Sequence, residues 1–182
     1  VVQGSVLGAI LFLIYINDLD VKVAEKAPGI NLFKFADDSK IGYQVRDWEE
    51  EEKFQQGINA IVEWCEENGM SLHPNKCCIM KFGSGNTNKV FTLLGNTLCE
   101  SACEKDLGVY ISNDLKSTEH VKSISSKAHR VLSSLKRSVT YRGEVFIELY
   151  KTYVRPIVEA SAVVWNPAKE SDIKKIEGVQ RR

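Results

Sequence analysis

Two adjacent carboxylates, Asp37 and Asp38, lie between two runs of alternating apolar residues, Leu32 to Ala36 and Ile41 to Val45. Like charges on a tight turn repel unless a cation or solvent relieves them, and a divalent metal does so directly. Mg²⁺ takes one or two protein carboxylates and completes its shell with water and substrate phosphates, and Mn²⁺ suits the same oxygen ligands. Two such ions about 3.5 to 4 Å apart clamp the attacking and leaving oxygens of an in-line displacement. Lys76, in the polar turn His73-Pro74-Asn75-Lys76, is of the type that stabilises phosphate charge or protonates a leaving group. Each feature also has a plain explanation, since Asp is a common turn residue and a turn lysine is usually solvated. Zinc has only weak spacing in its favour: Cys99 precedes Cys103 by four and His73 precedes Cys77 by four, without a repeated C-x-x-C.

The elements around these residues can be read from periodicity. Ser5 can cap a helix through the apolar run Val6 to Ile16 and on to Asn17-Asp18, and its apolar surface on nearly all sides predicts burial. At 11 residues the run falls short of the ~18 to 20 that a bilayer span needs. Leu32 to Ala36 and Ile41 to Val45 predict a hairpin around Asp37-Asp38-Ser39-Lys40, with Phe33, Phe35, Ile41, Tyr43 and Val45 on the packed face. Asp47 can cap a helix whose first turn is acidic from Glu49 to Glu52. Its apolar stripe is Phe54, Ile58, Ile61, Val62 and Cys65, and Asn68-Gly69 ends it. Short strands follow at Met70 to Leu72 and Cys77 to Phe82, then a loop from Gly83 to Asn88. A hairpin turning at Gly95-Asn96 and a strand from Leu107 to Ile111 come next. From Ser117 the spacing is helical, with Val121, Ile124, Ala128, Val131, Leu132 and Leu135 on one stripe. Another amphipathic helix carries Phe146, Leu149, Tyr150, Tyr153, Val154 and Ile157, interrupted near Pro156. His120 and His129 flank basic positions and are expected on a helix surface.

This order predicts an α+β first part over 1–115 and a helical second part over 116–182. The composition, 43% apolar and 9% aromatic in 182 residues, excludes a disordered tail, a collagen-like chain and a disulfide knot. Five cysteines without a secretory signal fit a reducing compartment and no disulfide framework. The formal net charge is zero, but residues 1–100 carry 9 basic and 14 acidic side chains and residues 101–182 carry 15 and 10. Residues 116–155 alone hold nine Lys/Arg against three acids, so neutrality does not exclude a local basic face. The chain opens inside a motif and keeps helical spacing to its last residues, which points to a piece of a longer protein.

Taken in order, the motifs carry a resemblance. Gln3-Gly4-Ser5-Val6-Leu7-Gly8, Phe12-Leu13-Ile14-Tyr15-Ile16-Asn17-Asp18-Leu19 and Phe35-Ala36-Asp37-Asp38-Ser39-Lys40 follow one another as in the palm of reverse transcriptases of non-LTR retrotransposons, the jockey-like LINE elements. Downstream, Trp64, Gly69-Met70-Ser71-Leu72 and Asn75-Lys76-Cys77 resemble the next motif of that family. Glu104-Lys105-Asp106 with Leu107-Gly108-Val109 is similar to its primer-gripping hairpin. Leu149-Tyr150-Lys151, Val154-Arg155-Pro156 and Val164-Trp165-Asn166-Pro167 resemble the helical segment after the palm.

The resemblance implies an α+β fold, a partial palm of antiparallel sheet with packed helices followed by a helical thumb. It implies an RNA-directed DNA polymerase that extends a DNA primer 3′-OH along an RNA template with dNTPs and two Mg²⁺ ions. Asp37 and Asp38 would be the catalytic, metal-holding carboxylates, with Phe35 and Ala36 placing their turn at the primer terminus. Gln3, Gly4 and Ser5 would lie against template and nucleotide, Lys76 near the triphosphate, and Leu107, Gly108 and Val109 at the primer. Lys122, Lys127, Arg130, Lys136 and Arg137 would meet the nucleic-acid backbone. The family also needs an aspartate from a strand upstream of Gln3, for which Asp18 and Asp20 are poor substitutes. This chain by itself is therefore expected to bind divalent metal weakly and not to polymerise. The location implied is intracellular, and nuclear within a complete element, with no membrane partner. Two alternatives stand beside this one: a noncatalytic nucleic-acid-binding remnant or host-co-opted protein, and a piece that does not fold cooperatively.

Overall fold

The computed structural model describes residues 4–83, 89–139 and 143–181. The chain is α+β, as expected, and divides into two compact units, one from Val1–Ile79 with Thr87–Glu100 and one from Met80–Asn86 with Ser101–Arg182.

In the first unit, Ser5 caps α1 (Val6–Tyr15) by accepting the Gly8 N–H at 3.1 Å. The expected burial of this helix does not hold. Val6, Leu7, Leu13 and Ile14 are more than half exposed, because it is Phe12, Tyr15 and Ile16 that face the core around Trp64, the Tyr15 ring lying 5.5 Å from the Trp64 ring. The helix also stops earlier than its apolar run, and a second helix, α2 (Leu19–Lys26), follows with Leu19 and Val23 buried. Strands β1 (Asn31–Phe35) and β2 (Asp38–Gly42) form an antiparallel hairpin. On β2 Ile41, the partner of Leu32, packs inward as expected, whereas on β1 the packed face is the opposite of the expected one, with Leu32 and Lys34 turned inward and Phe33 and Phe35 61% and 62% exposed. The reason is that Leu32 packs on the Trp64 core and Lys34 reaches the Ile16 carbonyl at 3.0 Å and Asp20 at 2.8 Å.

Asp47 starts α3 (Trp48–Glu67) by accepting the Glu50 N–H at 2.9 Å. Its buried stripe includes Ile58 and Cys65, as expected, with Gly57, Ala60 and Trp64 added. At Gly57 a Cβ would collide with the Ile30 side chain, so glycine lets that side chain approach. Met70 to Leu72 forms no strand, His73-Pro74-Asn75-Lys76 closes as a 3₁₀ turn (Pro74–Lys76), and β3 is only Cys78–Ile79. The next hairpin, β4 (Thr92–Leu93) and β5 (Asn96–Thr97), turns at Leu94-Gly95 instead of Gly95-Asn96; both turn residues have positive φ. β6 (Cys99–Glu100) pairs in parallel with β3. Of the expected loop from Gly83, Ser84 to Asn88 lie outside the described residues.

The second unit begins with β7 (Cys103–Asp106) and β8 (Val109–Ser112), an antiparallel hairpin turning at Leu107-Gly108. Val109 is buried against Val121 and Trp165, which groups this hairpin with the helices, whereas a division after residue 115 would leave it in the first part. α4 (Thr118–Ser138) buries Val121, Ala128 and Leu132, with Val131 and Leu135 packed beside them. α5 (Glu144–Tyr153) and α6 (Arg155–Glu159) break at Val154 just before Pro156, as the proline predicts. α7 (Ala162–Trp165) and α8 (Glu170–Gln180) complete the unit. Among the described residues the strands form four separate pairs, three antiparallel and one parallel, instead of one continuous sheet.

Candidate active site

The β1–β2 register pairs Phe35 with Asp38, which leaves a two-residue turn, Ala36-Asp37. This is tighter than the four-residue tip the sequence suggests. Ala36 takes a φ of 51°, a left-handed conformation that a non-glycine residue rarely adopts, and so lets pairing continue through Asp38. One carboxylate therefore stands in the turn and the next on the strand. Cross-strand partners share a face, so Asp38 stands beside Phe35, and Lys40 beside Phe33, on the exposed side of the hairpin. Asp37 and Asp38 are both exposed, and no ion pair with a described residue engages either.

The other aspartates nearby are used differently. Asp18 Oδ1 accepts the Trp64 indole N–H at 2.9 Å, and Asp20 pairs with Lys34 at 2.8 Å. These contacts hold α2, α3 and β1 together, so that of these four aspartates Asp37 and Asp38 are the ones left open. Hard oxygen donors on consecutive residues of a hairpin fit one or two protein ligands of a divalent ion, the rest of its shell coming from water and phosphate. Among the described residues no group of three or more His, Cys, Asp and Glu gathers around one point. The pair fits as part of a metal site and not as a closed one.

Lys76 ends the Pro74–Lys76 turn, exposed, with its backbone N–H on the His73 carbonyl at 2.9 Å. Gly4 has a φ of 86° with open space where a Cβ would stand, and Ser5 is half-buried at the helix cap. Gln3 lies outside the described residues. No hydrogen bond or ion pair among the described residues joins Ser5 or Lys76 to the Asp37-Asp38 tip; each is held by its own element in the first unit.

In the second unit, Leu107 is exposed and Gly108 has a φ of 92° at the turn, while Val109 anchors the strand that follows. Along α4, Lys122, Lys127, Arg130 and Arg137 are exposed and Lys136 is half-buried. Lys122 approaches Glu119 at 3.7 Å, both well exposed, a pair worth little.

Two polar residues of this unit escape the sequence reading. His120 is 3% exposed, a correction to its expected surface position. Its Nδ1 accepts the Tyr110 N–H at 3.2 Å, its ring lies 4.8 Å from that of Trp165, and Nε2 has no partner among the described residues. Burial lowers its pKa below the usual 6.5. Asp172 is 1% exposed and accepts from Thr118 at 2.7 Å and Lys175 at 2.8 Å. The Lys175 hydrogen bond, then the Thr118 one, holds its carboxyl below the ordinary value. The signal for both is in the spacing: His120, Ile124 and Ala128 fall on one helical face, as do Asp172, Ile176 and Val179.

Comparison with known proteins shows the family. The family model described as reverse transcriptase (RNA-dependent DNA polymerase) matches residues 1–135. A probable RNA-directed DNA polymerase from transposon X-element of Drosophila melanogaster is 24% identical over 99% of this chain and 20% of its own length. A probable RNA-directed DNA polymerase from transposon BS of the same organism is 25% identical over 99% of this chain and 21% of its own length. The chain thus spans about a fifth of the curated relatives it matches. No solved structure matches. With the family model covering most of the chain and the Phe35-Ala36-Asp37-Asp38 hairpin inside the match, this chain belongs to the reverse transcriptase family.

Proposed function

We propose that this chain is the palm hairpin and following helical segment of a retrotransposon RNA-directed DNA polymerase. The observation that carries the proposal is the two-residue hairpin tip, which leaves Asp37 and Asp38 open to solvent while Asp18 and Asp20 are engaged elsewhere. Asp37 and Asp38 would hold divalent metal, Mg²⁺ with Mn²⁺ as a substitute. When bound, such ions activate the primer 3′-OH and neutralise charge on the reacting phosphate of a dNTP.

The chain's own residues would do the rest. The hairpin presents Asp38 from the paired ladder and Asp37 from the tight turn that closes it instead of a loose loop, which limits their movement during the reaction. Phe35, beside Asp38, offers an apolar ring to the primer-terminal sugar. Gly4 lets a backbone come close, and Gln3 and Ser5 supply polar groups to template and nucleotide. Lys76 would neutralise triphosphate charge or give a proton to the leaving pyrophosphate. Leu107, Gly108 and Val109 would steady the primer, and Lys122, Lys127, Arg130, Lys136 and Arg137 would meet phosphates of the RNA template and DNA primer. Residence in the nucleus within a complete element fits these partners.

Two carboxylates without a third make a weak site, so the chain by itself is read as non-polymerising. Titrating the ¹⁵N-labelled protein with Mn²⁺ tests the site directly. Signals of residues 35–39 should broaden first, at millimolar affinity, and Asp37→Asn with Asp38→Asn should abolish the selective broadening. Equal broadening at the Glu49–Glu52 run and at the hairpin would contradict the assignment. The exposed cations of α4 favour a second reading, a noncatalytic nucleic-acid-binding remnant, which would retain salt-dependent binding without metal selectivity.

A further inference from the structure

All five cysteines carry thiols, and two of them face each other. In the parallel pair of β3 and β6, Cys78 stands opposite Cys99 and Ile79 opposite Glu100. Register partners share a face, and neighbouring strands lie about 4.8 Å apart, inside the roughly 4.4 to 6.8 Å Cα separation of a disulfide. Ile79 packs into the core around Phe91 and Leu93, so alternation sends Cys78, and Cys99 with it, to the outer side; both are exposed. The other thiols are placed differently. Cys65 is buried and Cys77 and Cys103 are half-buried. Burial also pushes the Cys65 and Cys77 thiols up, which slows their reaction as thiolates.

We infer that Cys78 and Cys99 form a dithiol modification site, which closes to an intramolecular disulfide on exchange with a small-molecule disulfide. The Cys78 thiolate attacks one sulfur of glutathione disulfide, forming a mixed disulfide and expelling one glutathione thiolate. The Cys99 thiolate then attacks the Cys78 sulfur and expels the second. Two protein thiols are oxidised, one glutathione disulfide is reduced to two glutathione thiols, and the two protein protons end on them. The product ties together two strands that otherwise pair over only two residues each, and it closes the segment that contains the β4–β5 hairpin. The site goes beyond nucleotide transfer, and none of its readouts depends on polymerase activity.

The test is peptide mapping after incubation of the whole chain with glutathione disulfide. A Cys77→Ala, Cys103→Ala background leaves one cysteine in each of the two relevant tryptic peptides. A dominant cross-link between the Cys78 and Cys99 peptides is expected, and either Cys78→Ser or Cys99→Ser should leave only a glutathione adduct on the remaining thiol. Separate, persistent adducts on both cysteines of the background protein would overturn the site. As a second measurement, the otherwise unaltered chain should bind one equivalent of phenylarsine oxide, and each single serine variant should bind about 100-fold more weakly, the usual gain from two-point capture. Arsenical binding unaffected by Cys99→Ser would place the pair at Cys77-Cys78 and contradict the inference.

Discussion

Asp18, Asp20, Asp37 and Asp38 lie close in sequence, and their partners sort them. The indole of Trp64 and the ammonium of Lys34 take the first two, which leaves the consecutive pair at the hairpin tip open for the metal role proposed above. His120 is a residue whose environment makes a prediction of its own. It is neutral in the fold because burial disfavours its charge, and its Nδ1 must stay unprotonated to accept the Tyr110 N–H. A histidine with a depressed folded pKa contributes stability that is fully present above its unfolded value, near 6.5. That stability is lost as pH falls below 6.5 toward the lower folded value. Thermal melts should therefore show Tm falling from pH 7.5 to 5, and His120→Gln should show a smaller fall. An identical pH slope in the two proteins would remove His120 from the account.

At the scale of elements, the β1–β2 hairpin depends on one uncommon backbone conformation. Ala36 at positive φ costs about 1 kcal/mol that glycine would not. Ala36→Gly should raise hairpin stability by up to about 1 kcal/mol, read as slower amide exchange at β1 and β2. Ala36→Val should lower it by about 1 to 2 kcal/mol, since a β-branched residue resists that conformation. Helices were the most legible elements, because the caps at Ser5 and Asp47 and the stripes of α3 and α4 are local signals. The inward face of β1 was not legible. Alternation gives a period but no direction, and the choice of Leu32 over Phe33 is made by a core that includes distant Trp64 and by Asp20 waiting for Lys34. The exposure of α1 was hidden for a similar reason: an all-apolar helix signals that it wants cover, and among the described residues Phe12, Tyr15 and Ile16 find it while Val6, Leu7, Leu13 and Ile14 do not.

For the whole molecule, zero net charge resolves into an acidic first part that holds the aspartate hairpin and a basic helix, α4. Nucleic-acid binding by this chain should fall steeply with salt, and Lys127→Ala and Arg130→Ala should each reduce the log–log salt slope by about one. Filter binding to an RNA–DNA hybrid between 50 and 200 mM salt, conditions of about that range being usual for such slopes, reads this out. Unchanged slopes would mean α4 does not touch phosphate. The order of motifs made the family legible from sequence, whereas the engagement of Asp18 and the burial of His120 and Asp172 required the fold. The most direct measurement of the central claim is primer extension on poly(rA)/oligo(dT) with Mg²⁺, using an element-length protein that contains these residues. The account predicts that Asp37→Ala lowers incorporation at least about 100-fold while primer–template binding is retained; incorporation within about threefold of the parent would contradict it.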